Sequence, residues 1–404
     1  MNANQFPSLI MALIFFAMLP VTMIVPVLKE VIKDIHLSGN FSVALFTSIS
    51  MLGSFLFSPI AGMISDRLGN RHKIIGIAAL IDGGLFFSLT LINDINILML
   101  VRFFEGATHI FVIGLLLASI SDRENNPDSS FYQKGRLMGI AGMFLSLGAA
   151  VGMPLGILGK SNPLLPFYVG SGILILVGIS SLVYVKDSKH SSSKVVSFSQ
   201  LIHSIRTNPV LLIPFSFHFI DRFTVGFLVS SFNIHMREVL LFNPGKAGAF
   251  LGLVLFPMSI LSYPSAILSK KYGILPLVLI GSLVYGFFLG LLGYTNDSTS
   301  IFIFLVCAGL GAGIMYVPSM ILASRLSPPG LDATVMSGFT GLGSFGFLLG
   351  PLASVGLENF WNQSEWVGNP FAALSTSFGI LEIFMVAVTL PFLFQLQKLL
   401  RKPS

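Results

Sequence analysis

Apolar residues run along this chain in long blocks separated by short polar stretches, with no sustained alternation of the kind a half-buried strand requires. Twelve blocks stand out, at residues 8–28, 42–64, 74–92, 97–120, 137–159, 164–185, 209–236, 247–268, 274–294, 300–324, 334–357 and 370–395. Each approaches the ~20 residues that carry an α-helix across ~30 Å of hydrocarbon. An open strand in lipid would leave backbone N–H and C=O groups unpaired, so helix is the conformation these blocks must take. The pattern predicts an all-α membrane protein of twelve transmembrane helices.

Composition strengthens that expectation. Of 404 residues, 54% are apolar and 10% charged, where a soluble domain carries roughly 25% charged residues. No water-soluble fold hides so much apolar surface. The first block runs straight into more of the same kind and lacks a small-residue cleavage site, so it reads as helix 1 and not as a signal peptide. The single cysteine, Cys307, excludes an internal disulfide and a cysteine-based metal cluster. The formal charge of +6 would suit nucleic acid, but the basic residues form no continuous stripe.

Those basic residues are sorted by loop instead. Lys29, Lys33, Lys160, Arg237 and Lys246 fall on one side, Arg102 and Arg222 fall inside predicted spans, and the remainder fall on the other side. The positive-inside rule then puts both termini in the cytoplasm, which in a bacterium means an inner-membrane protein. The connection 186–208 is Ser-rich and basic and divides the helices into an N-terminal half, 1–185, and a C-terminal half, 209–397, followed by a tail, 398–404. Within the linker, Phe198, Leu201, Ile202 and Ile205 have the spacing of a short helix lying on the membrane surface. The halves repeat: Met138, Gly148 and Gly152 of helix 5 fall on Met336, Gly346 and Gly350 of helix 11 at one constant offset. Gly106 and Leu117-Ala118-Ser119 of helix 4 fall likewise on Gly311 and Leu322-Ala323-Ser324 of helix 10.

Between helices 2 and 3 lies Gly62-Met63-Ile64-Ser65-Asp66-Arg67-Leu68-Gly69-Asn70-Arg71-His72-Lys73. This charged, tight loop resembles the loop signature of the major facilitator superfamily, with Asn70 departing at the first basic position of its end. The resemblance implies two six-helix, pseudo-symmetric halves. It also implies a cytoplasmic gate built from Gly62, Asp66, Arg67, Gly69 and Arg71, in which Asp66 meets the positive N-terminal end of helix 11. The matching loop after helix 8 carries Lys270 where Asp66 stands. In helix 4, Leu98 to Gly106 resembles the family's second signature, with Glu105 replacing its glutamine, and carries the family's proton-linked arginine onto Arg102. Gly139, Gly148 and Gly152 resemble the motif of the family's antiporters, although Met153 separates Gly152 from Pro154. Helix 11 holds an intact Gly350-Pro351. Gly148, Gly152, Pro154, Gly346, Gly350 and Pro351 are read as positions of close packing and helix flexing.

Ionisable groups inside the spans are the candidate machinery, because burying them in lipid is costly. Arg102, Glu105 and His109 lie on helix 4, and His218, Asp221 and Arg222 on helix 7. Resemblance makes both helices line the central cavity. Asp221 and Glu105 are the candidate proton-exchanging carboxylates, with the two histidines as relays; fixed ion pairs bracing the helices, Arg102–Glu105 among them, are the competing reading. Asp82 and Glu382, on helices that resemblance makes peripheral, read as structural. The chain is thus expected to be a drug-exporter-like transporter working by alternating access, exchanging protons for a small amphipathic or cationic compound. A lipid or lysolipid flippase and a proton-coupled importer are the alternatives. No cofactor and no metal are expected, the proton gradient is the energy source, and the partners are substrate, protons and the bilayer, with the chain acting as a monomer. An enzyme would need a nucleophile with its base or a motif such as H-E-x-x-H, and no such spacing occurs.

Overall fold

A computed structural model describes residues 5–68, 70–124, 136–184, 205–206, 209–327, 332–365, 367–393 and 396. No strand occurs among them. In chain order the long helices are α1 Gln5–Met23, α2 Asn40–Leu68, α3 Arg71–Ser88, α4 Ile95–Glu124, α5 Arg136–Leu155 and α6 Leu165–Tyr184. Then follow α7 Pro209–Glu238, α8 Pro244–Tyr272, α9 Ile274–Leu291, α10 Ser298–Arg325, α11 Asp332–Asn362 and α12 Pro370–Thr389. Helix α7 is interrupted by a π-helical stretch, Leu228–Phe232. Most of the linker and all of the tail lie outside the described residues; of the four apolar residues of the predicted surface helix only Ile205 is described, against the cluster of Val210, Leu211 and Phe215.

Eleven described helices are long and apolar enough to cross a membrane. Helix α3 is the exception to the twelve spans expected, because Arg71, Lys73 and Asp82 all fall within its 18 residues. Two of these charges are nonetheless covered by protein: Arg71 Nε donates to Ser65 Oγ at 3.0 Å, and Asp82 is wholly buried. Helix α1 stops at Met23, earlier than its apolar block, and gives way to a tight turn over Val25–Val27 in which Pro26 has no N–H to continue the ladder.

By contacts the chain forms two compact units, the first Met1–Val195 with Phe232–Ser259 and the second Val196–Ser231 with Ile260–Ser404. The segment 232–259, which the sequence pattern assigns to the second half, therefore groups with the first. Gly245, Gly248 and Gly252 lie against Ile157, Met153 and Ala150, and polar contacts add to this. Arg237 pairs with Glu30 and donates to the Phe242 carbonyl, Lys33 Nζ lies 2.5 Å from Glu238, and Asn233 Nδ2 donates to the Val25 carbonyl at 2.7 Å.

Inside the first unit α1 packs on α5, α2 on α4 and α3 on α6; inside the second α7 packs on α11 and α9 on α10 and α12. In lipid, helix association depends on close van der Waals fit, so small residues mark the contacts. Gly148 and Gly152 leave room for the carbonyls of Phe15 and Leu19, and Gly346 and Gly350 leave room for those of Phe219 and Phe223. The repeat read from helices 5 and 11 thus extends to the helices they touch. It reaches the loops as well. The two non-glycine residues of positive φ among the described residues, Leu37 (52°) and Leu241 (55°), each stand in the turn after the first helix of a half.

Candidate functional site

The first cluster is built where α2, α3 and α4 meet. Gly106 lets the α4 backbone lie against Ser50 of α2, and Gly53 does the same for α2 against Phe103. Ser54 Oγ fixes this contact by donating to the Gly106 carbonyl at 2.8 Å. The approach brings Ser50 Oγ to 3.4 Å from Glu105 Oε2, while Arg102 Nη1 lies 2.5 Å from the same oxygen. Arg102 also faces the ring of Phe46, 4.9 Å from its centroid. The i,i+3 pair foreseen on helix 4 is therefore formed, and both partners are buried.

One turn further along α4, His109 Nδ1 lies 2.8 Å from Asp82 Oδ2 of α3, and Thr108 Oγ1 is 3.5 Å from Oδ1. Sequence reading placed Asp82 on a peripheral helix. The fold turns it inward, onto the same cluster as Arg102, Glu105 and His109. Ligand atoms of Asp82, Glu105 and His109 come within 4.8 Å of one another, a spacing that a cation could bridge. The guanidinium already seated on Glu105 would repel a metal ion there. Charge counting favours a smaller occupant. Two carboxylates and one guanidinium leave one negative charge, which a single proton on His109 cancels.

The second cluster lies in the second unit, on α7 and its neighbours α9, α10, α11 and α12. Asp221 Oδ2 and Arg222 Nε are 3.8 Å apart, and the Arg222 guanidinium lies 5.0 Å from the ring centroid of Tyr316 on α10. His218 does not join that pair by a hydrogen bond. Its ring stacks on Phe339 of α11, with centroids 4.0 Å apart and planes 9° from parallel, and Gly343 leaves the space for it. His218 Nδ1 is buried without a partner among the described residues. A cavity of about 10 Å³ lies beside it, lined by Asp221, Tyr316 and Ser319 among others, which is room for about one water.

A third group surrounds Glu382, which the sequence marked as a charge inside a span without identifying its partners. Glu382 of α12 is wholly buried with Thr224 of α7 and with Ser282 and Tyr285 of α9. Tyr285 and Phe227 are core residues, whereas Phe16 is 47% exposed. A hydroxyl-bearing residue in an apolar run carries no mark of the carboxylate it will serve, so only the packing of α9 on α12 identified this group. Of the predicted gate, Arg71 is described and buried. The side chains of Asp66 and Arg67, and the surroundings of Gly62 and Gly69, lie outside the described residues.

Comparison with known proteins fits this arrangement. The model of the Major Facilitator Superfamily matches residues 10–351 and 214–398. Multidrug resistance protein 2 of Bacillus subtilis is 24% identical over 247 residues, covering 59% of this chain and 60% of that protein. Quinolone resistance protein NorA of Staphylococcus aureus is 26% identical over 181 residues, 45% of either chain. The matches therefore span about half to three-fifths of the curated relatives' length. Among solved structures, a D323A mutant of the nucleoside transporter NupG superposes with a TM-score of 0.76 at 13% identity, over 98% of this chain and 100% of that one. The human organic anion transporter MFSD10 gives 0.71 at 16% identity, over 96% and 99%. At such identity these likenesses establish the fold alone. The chain is a multi-pass membrane protein, and it belongs to the major facilitator superfamily.

Proposed function

We propose that this transporter exports a small amphipathic or cationic compound in exchange for protons. Transport proceeds by alternating access, with six-helix halves 1–185 and 209–397, and the chain acts as a monomer. The observation that carries the reading is the cluster on α3 and α4 of buried Asp82, Arg102 and Glu105 with partly buried His109, whose charge balance one proton completes. Ionisable groups are retained inside spans where they move ions or substrate. The relatives named for multidrug and quinolone resistance support export and this class of compound. Glu105 in one unit and Asp221 in the other serve as the carboxylates that exchange protons. Arg102 and Arg222 hold them, and His109 and His218 act as relays. Gly62, Asp66, Arg67, Gly69 and Arg71 close the cytoplasmic side.

The test is transport by the purified protein in proteoliposomes with an imposed pH gradient, using quinolones and lipophilic cationic dyes. Substrate should accumulate in the acidic compartment, and Glu105→Gln or Asp221→Asn should abolish accumulation while leaving gradient-free exchange. Movement of substrate together with protons would make the protein an importer, and unchanged coupling in both variants would remove these carboxylates from the mechanism.

A further inference from the structure

Proton counting around Thr224 assigns a state to Glu382. A threonine hydroxyl has one proton to donate and two lone pairs with which to accept. Thr224 Oγ1 lies 2.9 Å from the main-chain carbonyl of Asp221, 3.2 Å from the Tyr285 hydroxyl and 3.2 Å from Glu382 Oε1. The carbonyl is an acceptor only and is the nearest of the three; with the Thr224 proton placed there, both hydroxyl lone pairs await donors. Tyr285 can then donate to one lone pair. The other lone pair can be satisfied by Glu382 only if that oxygen carries a hydrogen.

The second carboxyl oxygen fits the same picture. Ser282 Oγ donates to Glu382 Oε2 at 2.7 Å, which makes Oε2 the carbonyl oxygen and Oε1 the hydroxyl of a carboxylic acid. Among the described residues no cation stands within ion-pair distance of Glu382, and its side chain is wholly buried. The titratable or charged groups around it are Tyr285 on α9 and Asp221 with Arg222 on α7, and Arg222 is directed to Asp221 and Tyr316 instead. Gly286 of α9 and Gly379 of α12 permit this placement. A Cβ at Gly286 would come to 2.7 Å from Glu382 Cβ.

We propose that Glu382 is a proton-binding site of the transporter, held by Ser282 and Thr224 and emptied when movement of α7 admits water to it. The O–H bond of Glu382 breaks, the proton passes to water, and Glu382 is left as a carboxylate. Return of α7 restores the enclosed site and the proton together. This links proton occupancy to the helix that carries Asp221, and it rests on the proton-coupled reading above.

Infrared difference spectroscopy of the reconstituted full chain, recorded between acidic and alkaline pH, reads the acid directly. A carboxylic C=O band should vanish on alkalinisation in the wild type and be missing from Glu382→Gln, whose amide preserves both hydrogen bonds. Thr224→Val should retain the band at a shifted frequency. A wild-type difference spectrum reproduced unchanged by Glu382→Gln overturns the proposal, and so does a band unmoved in Thr224→Val. These spectra need no transport. Absence of pH-driven transport in the wild type would count against the exporter reading, while the band would still decide the state of Glu382.

Discussion

His109 of α4 and Asp82 of α3 meet through Nδ1 and Oδ2 at 2.8 Å, joining two helices by a pair that is almost wholly enclosed. Removing either partner leaves the other buried without its hydrogen bond, at a cost of about 1–3 kcal/mol. Asp82→Ala and His109→Ala should each lower the melting temperature in detergent, and the double variant should lose less than their sum. Additive losses would show that the two groups do not act as a pair.

Arg102 and Glu105 predict an asymmetric outcome. Arg102→Ala strands a buried carboxylate, and breaking one side of a buried pair costs about 3–5 kcal/mol, so folded yield should fall sharply. Glu105→Gln keeps a hydrogen-bonding group beside Ser50 and should be milder. Fluorescence-detected size-exclusion profiles of Arg102→Ala with and without Glu105→Gln would measure the recovery expected from the second change.

The glycines of α5 are not equivalent. A Cβ at Gly139 or Gly142 meets open space, whereas at Gly148 or Gly152 it meets the α1 backbone. Gly148→Val and its counterpart Gly346→Val should therefore destabilise by about 1–3 kcal/mol through overpacking. Gly139→Ala should be close to neutral. Comparable losses at all three positions would separate the motif from the packing described here.

The Arg237–Glu30 and Lys33–Glu238 pairs differ in exposure, with 8% of the Arg237 side chain exposed against 23% of Lys33. Lys33→Ala should cost no more than about 1 kcal/mol and lose its effect in high salt. Arg237→Ala should cost several-fold more and persist in salt, because Glu30 is left without its partner. Thermal unfolding at low and high ionic strength separates the two.

Outside the spans, the Asp297 carboxylate caps α10 by accepting from Ser300 N at 2.8 Å and Ser300 Oγ at 2.9 Å. These hydrogen bonds, the backbone one foremost, hold its pKa below the ordinary aspartate value. A depressed folded-state pKa gives stability that is complete above the unfolded value and lost as pH falls through the folded one. Asp297→Ala should lower the melting temperature at neutral pH, with the difference closing in acid, while Asp297→Asn retains the cap. A pH-independent difference would point to lost packing instead.

The sequence by itself determined the helices, because spans of apolar residues in lipid admit no other backbone. It also marked which charges lie inside those spans and, through Gly148, Gly152, Gly346 and Gly350, where two halves repeat. Only tertiary structure decided partners. The i,i+3 geometry of one helix made Arg102–Glu105 legible, since both ends of that contact lie on the same strip of α4. Asp82 with His109, Glu382 with Ser282 and Thr224, and Arg222 over Tyr316 each need the relative rotation of two helices. That rotation is set by many small contacts between glycines and backbone carbonyls, spread over distant parts of the chain. No local run of residues records it, and for that reason two acids that read as peripheral lie at the centre of the polar clusters.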